Sequence, residues 1–156
     1  MYANKSLKLF ILSLFITTLV IFSGCGGTAP SNNETKITDV IHGFFQALSD
    51  QEWDTAKSYC VYGSTAYNDV NDIKEQWYLN FGEIEGVDID YIVENIDTTI
   101  SNGKYAKVGV YVNGILLYNG EIVEENPGET LILYLQKIGN DWKLYGVDEA
   151  VTSISD

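Results

Sequence analysis

Between Ile37 and Leu48 the apolar residues recur at spacings of three and four: Ile37, Val40, Ile41, Phe44, Phe45 and Leu48. At 100° per residue they share an arc about a third of a helix circumference wide. The spacing predicts an amphipathic helix capped by Thr35 or Thr38 and running to about Ser49. Asp39, His42 and Gln46 fall outside the arc, toward solvent. Ser49-Asp50 breaks the pattern, and Glu52 to Cys60 predicts a second, short helix with Trp53, Ala56 and Cys60 on one face. A third helix, about Asp69 to Phe81, stacks Val70, Ile73, Trp77 and Phe81 before Gly82 ends it.

From Val87 the period drops to two and β-branched residues accumulate. Val87 to Ile100 reads as one long strand. Ser101-Asn102-Gly103-Lys104 is a hairpin turn, because Asn-Gly accepts the positive φ angles that a tight hairpin requires. Tyr105 to Val112 follows, with Ala106, Val108, Val110 and Val112 on one face. Asn113-Gly114 and Asn119-Gly120 bracket Ile115 to Tyr118, either an extra hairpin or a bulged continuation of the strand. Asn126-Pro127-Gly128 is a turn, and Glu129 to Ile138 pairs with Asp141 to Val147 across Gly139-Asn140. Residues 149–156 read as a frayed tail. Three helices followed by four or five antiparallel strands predict an α+β domain over residues 36–148, its helices on the concave face of a curved, cone-like sheet. Phe44, Phe45, Trp77 and Trp142 are expected to join helices to sheet in the core.

Residues 1–24 obey a different logic. Lys5 and Lys8 form a basic start, and Leu9 to Phe22 is uncharged and apolar apart from Ser13, Thr17 and Thr18. That run is short for a bilayer, which takes about 20 apolar residues. It ends in Phe22-Ser23-Gly24-Cys25, which resembles the bacterial lipobox, an apolar residue and two small ones before an invariant cysteine. The resemblance implies a lipoprotein signal peptide over 1–24 and lipid on Cys25. The Gly-, Pro-, Ser- and Asn-rich residues that follow make 25–35 a flexible tether. The implied location is the outer face of the cytoplasmic membrane, or an outer-membrane leaflet, with the membrane itself as first partner.

Charge narrows the partners. The chain holds 9 basic and 22 acidic residues and no arginine. Without Lys5 and Lys8, seven basic residues remain against 22 acidic ones, a net charge of −15. Such a surface repels phosphate backbones, which argues against nucleic acid. Glu83, Glu85, Asp88 and Asp90 lack the alternating ligand spacing of a calcium loop, and nothing in the sequence calls for a metal or cofactor. With Cys25 lipidated, Cys60 has no disulfide partner.

The pattern Val40-Ile41-x-x-Phe44-Phe45-x-Ala47-Leu48, then Ala56, and the closing Leu135-x-Lys137-x-Gly139-Asn140-x-Trp142-Lys143-Leu144 resemble the nuclear transport factor two-like (cystatin-like) superfamily. Within it, they resemble small lipoproteins of unassigned function. The superfamily includes isomerases and cyclases that use a pocket carboxylate as general base, as well as pure binding modules, so the resemblance implies a fold and leaves function to the residues.

Two side chains are candidate catalysts. His42 is the sole histidine, and Asp97 shares the parity of Ile89, Tyr91, Val93 and Asn95, which puts it at the pocket if that face is concave. Ile92, Ile96 and Ile100 hold the opposite parity, so either face of this strand could be the inner one. Tyr105, Tyr111, Tyr134 and Tyr145 alternate against aliphatic neighbours and are candidates for an interface on the outer sheet face, toward a protein partner or a second copy. The leading reading is a non-enzymatic binding or scaffolding domain. The alternative is a small pocket enzyme, isomerase-, cyclase- or dehydratase-like, that moves a proton on a neutral or cationic small molecule.

Overall fold

The structure is a computed structural model that describes residues 31–82, 84–125 and 128–149. The expected signal peptide, Cys25, the Asn126-Pro127 part of a turn and the end of the tail lie outside the described residues. Helix α1 spans Asn32–Ser49. It starts earlier than the apolar stripe suggests because Ser31 and Glu34 form a capping box. The Ser31 hydroxyl accepts from the Glu34 N–H, and the Ser31 N–H donates to the Glu34 carboxylate at 2.7 Å. Residues 32–35, expected in the tether, are therefore its first turn. Helix α2 covers Trp53–Ser58. Helix α3 covers Thr65–Phe81, four residues longer at its start than expected, since the Ser64 hydroxyl caps the Tyr67 N–H at 3.2 Å. Among the described residues no helix is long and apolar enough to cross a membrane.

Five strands follow: β1 Val87–Ser101, β2 Tyr105–Tyr118, β3 Glu121–Glu125, β4 Glu129–Ile138 and β5 Asp141–Glu149. The sheet is antiparallel in the order β1-β2-β4-β5, and β3 pairs with the far end of β2. Ile115–Tyr118 is the continuation of β2. It turns into β3 through Asn119 and Gly120, both at positive φ. Asn102 and Gly103 make the same kind of turn between β1 and β2. Register shifts at Asn95/Asp97, Leu116/Leu117 and Tyr134/Leu135 bend the sheet into a trough. The helices lie in that trough, with α1 against β1 and β5 and α3 against β5.

The core is the shared inner parity of the strands facing the helix stripes. Ala106, Val108, Val110 and Val112 meet Leu133, Leu135, Trp142 and Leu144 from the sheet, and Ile37, Ile41, Phe44, Phe45 and Val70 from the helices. Phe44, Phe45, Trp77 and Trp142 are all buried, as the sequence predicts. Every core and core-flanking residue lies between Ile37 and Val147, so a chain beginning at Gly26 keeps the whole core.

Candidate functional site

The trough is not filled at one end. Helix α3 packs on β5 and α2 rather than on β1, which leaves an apolar groove of about 340 Å³ beside β1, walled by Trp53, Ile73, Trp77, Phe81 and Ile89. Next to it, a cavity of about 200 Å³ enters the cone between α1, α3 and the sheet, against Phe44, Phe45, Val112, Leu131 and Val147. Leu48, Ile73 and Tyr91 line both hollows, so the two share walls and form one mouth.

Each wall residue is held by its own element. Phe44 and Phe45 pack edge to face at 5.3 Å on the buried stripe of α1. Tyr91 leans on Phe45 at 5.9 Å, and its backbone N–H, unpaired on the free edge of β1, donates to the Ser49 hydroxyl at 3.0 Å. Trp77 and Phe81, one turn apart on α3, stack at 5.0 Å. The polar groups sit at the rim. Asp69 from α3 and Glu129 from the start of β4 flank the cavity, and Asp72 flanks the groove. Partial burial, then the neighbouring Asp72 charge, raises the Asp69 carboxyl above the ordinary carboxylate range. Burial likewise raises the Tyr91 phenol, which stays protonated and can donate. Among the described residues no polar or charged side chain is fully buried, and Asp69, half-buried at the cavity, is the lining carboxyl that desolvation raises.

The catalytic candidates read from sequence do not reach this mouth. The bulge between Asn95 and Asp97 adds one residue to β1 and flips the parity beyond it. Asp97 therefore pairs with Gly109 on the outer face, exposed, beside Thr99, Lys107 and Thr130. Ile89, Tyr91 and Val93 keep the inner parity expected of them. His42 is exposed on α1, as its wheel position implies. Cys60 is buried with Trp53 and Ala56, its thiol bonded to the Ala56 carbonyl at 3.6 Å and pushed up to about 12, chiefly by burial. It is a core residue, not a nucleophile.

Three of the four tyrosines meet. Tyr145 lies 6.4 Å from Tyr105 and 6.0 Å from Tyr134, on the outer sheet face. The Tyr134 hydroxyl bonds the Asp148 carboxylate, which raises the phenol above its usual range. Tyr111 stands apart. It is six residues along β2 from Tyr105, roughly 20 Å, and its ring lies over Gly128, where any Cβ would collide with it.

No family model and no curated protein matches the chain in sequence. Solved structures do match its fold. Aln2 from a Streptomyces species superposes with a TM-score of 0.61 and 10% identity, over 78% of this chain and 94% of that one. A domain of unknown function with a cystatin-like fold from Nostoc punctiforme gives 0.57 and 11% identity over 76% of each chain. An NTF-2 like protein of unknown function from Shewanella oneidensis gives 0.52 and 12%, over 72% of this chain and 94% of that one. The fold is thus the cystatin-like, NTF2-like α+β fold. Identities this low carry the fold alone, and the reading of function rests on the residues of this chain.

Proposed function

We propose that the chain is an exported lipoprotein, anchored by lipid on Cys25, whose domain binds a ligand in the cone mouth without transforming it. The observation that carries the binding half is the division of the site, with apolar walls inside and carboxylates only at the rim. Proton-transfer catalysis needs a positioned, desolvated acid or base beside the substrate. Glu129 is exposed and Asp69 is only partly desolvated at the cavity edge, positions suited to selecting and orienting a ligand.

The tether gives the mouth a direction. Lys137, near the end of β4, donates to Asn33 in the first turn of α1 at 3.3 Å, so the chain enters at that end of the sheet. Glu129, at the mouth, is eight residues back along the same strand, roughly 26 Å away. Only the few residues between Cys25 and Ser31 separate lipid from helix, a reach of at most about 20 Å. A lipid on Cys25 holds the Asn33 end toward the bilayer and leaves the mouth facing the aqueous side.

A second surface is favoured by the contact of Tyr105, Tyr134 and Tyr145, which makes the outer sheet face suited to a protein partner or a second copy.

The binding reading is tested with N-phenyl-1-naphthylamine, a neutral dye that brightens in apolar surroundings, added to the chain beginning at Gly26. The expected result is enhanced, blue-shifted emission that Ile73→Trp, which fills the wall common to both hollows, abolishes without lowering the melting temperature by more than a few degrees. A dark dye, or equal emission from Ile73→Trp, contradicts the reading.

A further inference from the structure

We propose that the ligand of the mouth is a cationic amphiphile, a small molecule with one positive charge on an apolar body. This rests on the mouth being a binding site and adds the ligand's chemical class. The apolar body follows from the walls. Phe44, Phe45, Leu48, Ile73, Leu131 and Val147 offer hydrocarbon and ring faces, with only the Tyr91 phenol, beyond the rim carboxylates, to pair a polar group in the cavity. A polar body would give up most of its hydration there without compensation. The positive charge follows from the rim. Asp69, Asp72 and Glu129 are the charged residues lining the two hollows, and no lysine or histidine is among the lining residues. Among the described residues no cationic side chain lines the mouth beside these carboxylates.

Three further observations agree. Asp69 is partly buried, and burial first and then the neighbouring Asp72 charge raise its carboxyl, a cost that a bound cation would offset. Tyr91, Phe45, Trp77 and Phe81 supply aromatic faces next to the rim, suited to an alkylated ammonium group. The net charge of −15 gives the domain a field that draws cations in and turns anions away. A fatty acid, an acyl phosphate or a nucleotide would meet repulsion at the rim.

The test compares three probes that share a phenylbutyl body: trimethyl(4-phenylbutyl)ammonium, 4-phenyl-1-butanol and 4-phenylbutanoate. Each is titrated into the chain beginning at Gly26 at pH 7, by calorimetry and by displacement of N-phenyl-1-naphthylamine. The ammonium probe is expected to bind about tenfold more tightly than the alcohol, and the carboxylate more weakly than either. In Asp69→Asn/Glu129→Gln the ammonium should fall to within about threefold of the alcohol measured on the same variant. Equal binding of ammonium and alcohol overturns the ligand class and leaves the pocket reading standing. A preference that survives in the double variant also overturns it, since the cation is then held elsewhere on the acidic surface. If no probe displaces the dye while the dye still binds, the class is wrong. If the dye does not bind either, the pocket reading falls with it.

Discussion

At the scale of single residues the chain sorts its titratable groups by burial. Cys60 and Tyr91 are held protonated by the apolar surroundings that make them packing residues. Below pH 9 the folded and unfolded chains both keep the Cys60 proton. Between its ordinary value of 9.0 and its folded value of about 12, the unfolded chain releases the proton and the folded chain does not. The folded state then binds more protons, so stability falls as pH rises through this window. Tyr91, raised from 10.0, acts in the same direction at the upper end. Melting temperatures measured from pH 8 to 10.5 should decline, and the decline should be shallower in Cys60→Ala. Parallel slopes for parent and variant would exclude Cys60 as a source. Core truncation is the coarser test at this scale. Phe45→Ala and Trp142→Ala should each cost about 3–5 kcal/mol in urea unfolding, because both remove large buried rings. Losses under about 1 kcal/mol for both would be incompatible with this core.

Residue roles were unevenly legible. Phe44, Phe45, Trp77 and Trp142 declare themselves by periodicity, since a core position needs only the right spacing. The face of Asp97 stayed open because parity counting assumes a regular strand, and one extra residue at a bulge inverts every position beyond it. Asp69 was legible in principle. It occupies a place on the α3 stripe between Ala66 and Ile73, where an apolar residue would continue the buried face. A charge at such a position marks a helix face that borders a cavity.

At the scale of elements the helix starts show how much a cap decides. Ser31-x-x-Glu34 carries α1 back to Asn32, before the apolar stripe begins, and Ser64 does the same for α3. Both signals are local in sequence. The pairing of β3 is not, because Glu121–Glu125 is exposed along its whole length and has no inward parity to read. The tyrosine surface was half legible. Parity sent all four rings outward, but which of them touch depends on strand order and on the bulge that sets Tyr145 between its neighbours. Sedimentation of the chain beginning at Gly26 tests that face. An outer-face dimer should tighten from low to moderate salt, as screening at a Debye length of about 8 Å relieves acidic repulsion. Tyr134→Ser/Tyr145→Ser should abolish it, while Tyr111→Ser should not. A monomer at every salt concentration would exclude self-association and leave a different protein as the occupant.

At the scale of the whole molecule the element order, three helices and then an antiparallel sheet, was readable from the change in period at Val87. The mouth was not. It exists because α3 packs on β5 and α2 and leaves the stretch of β1 beside it to line a groove, a matter of tertiary packing that no local pattern encodes. The direction of the mouth, the aqueous source of its ligand and the membrane as the site of action all rest on lipid at Cys25. Cells producing the full chain, or Cys25→Ala, are fed an alkynyl fatty acid, and the purified proteins are compared for label and for membrane fractionation. The account predicts label and membrane retention for the parent, and neither lipid nor processing at residue 25 for Cys25→Ala. Equal labelling of the two proteins would contradict it.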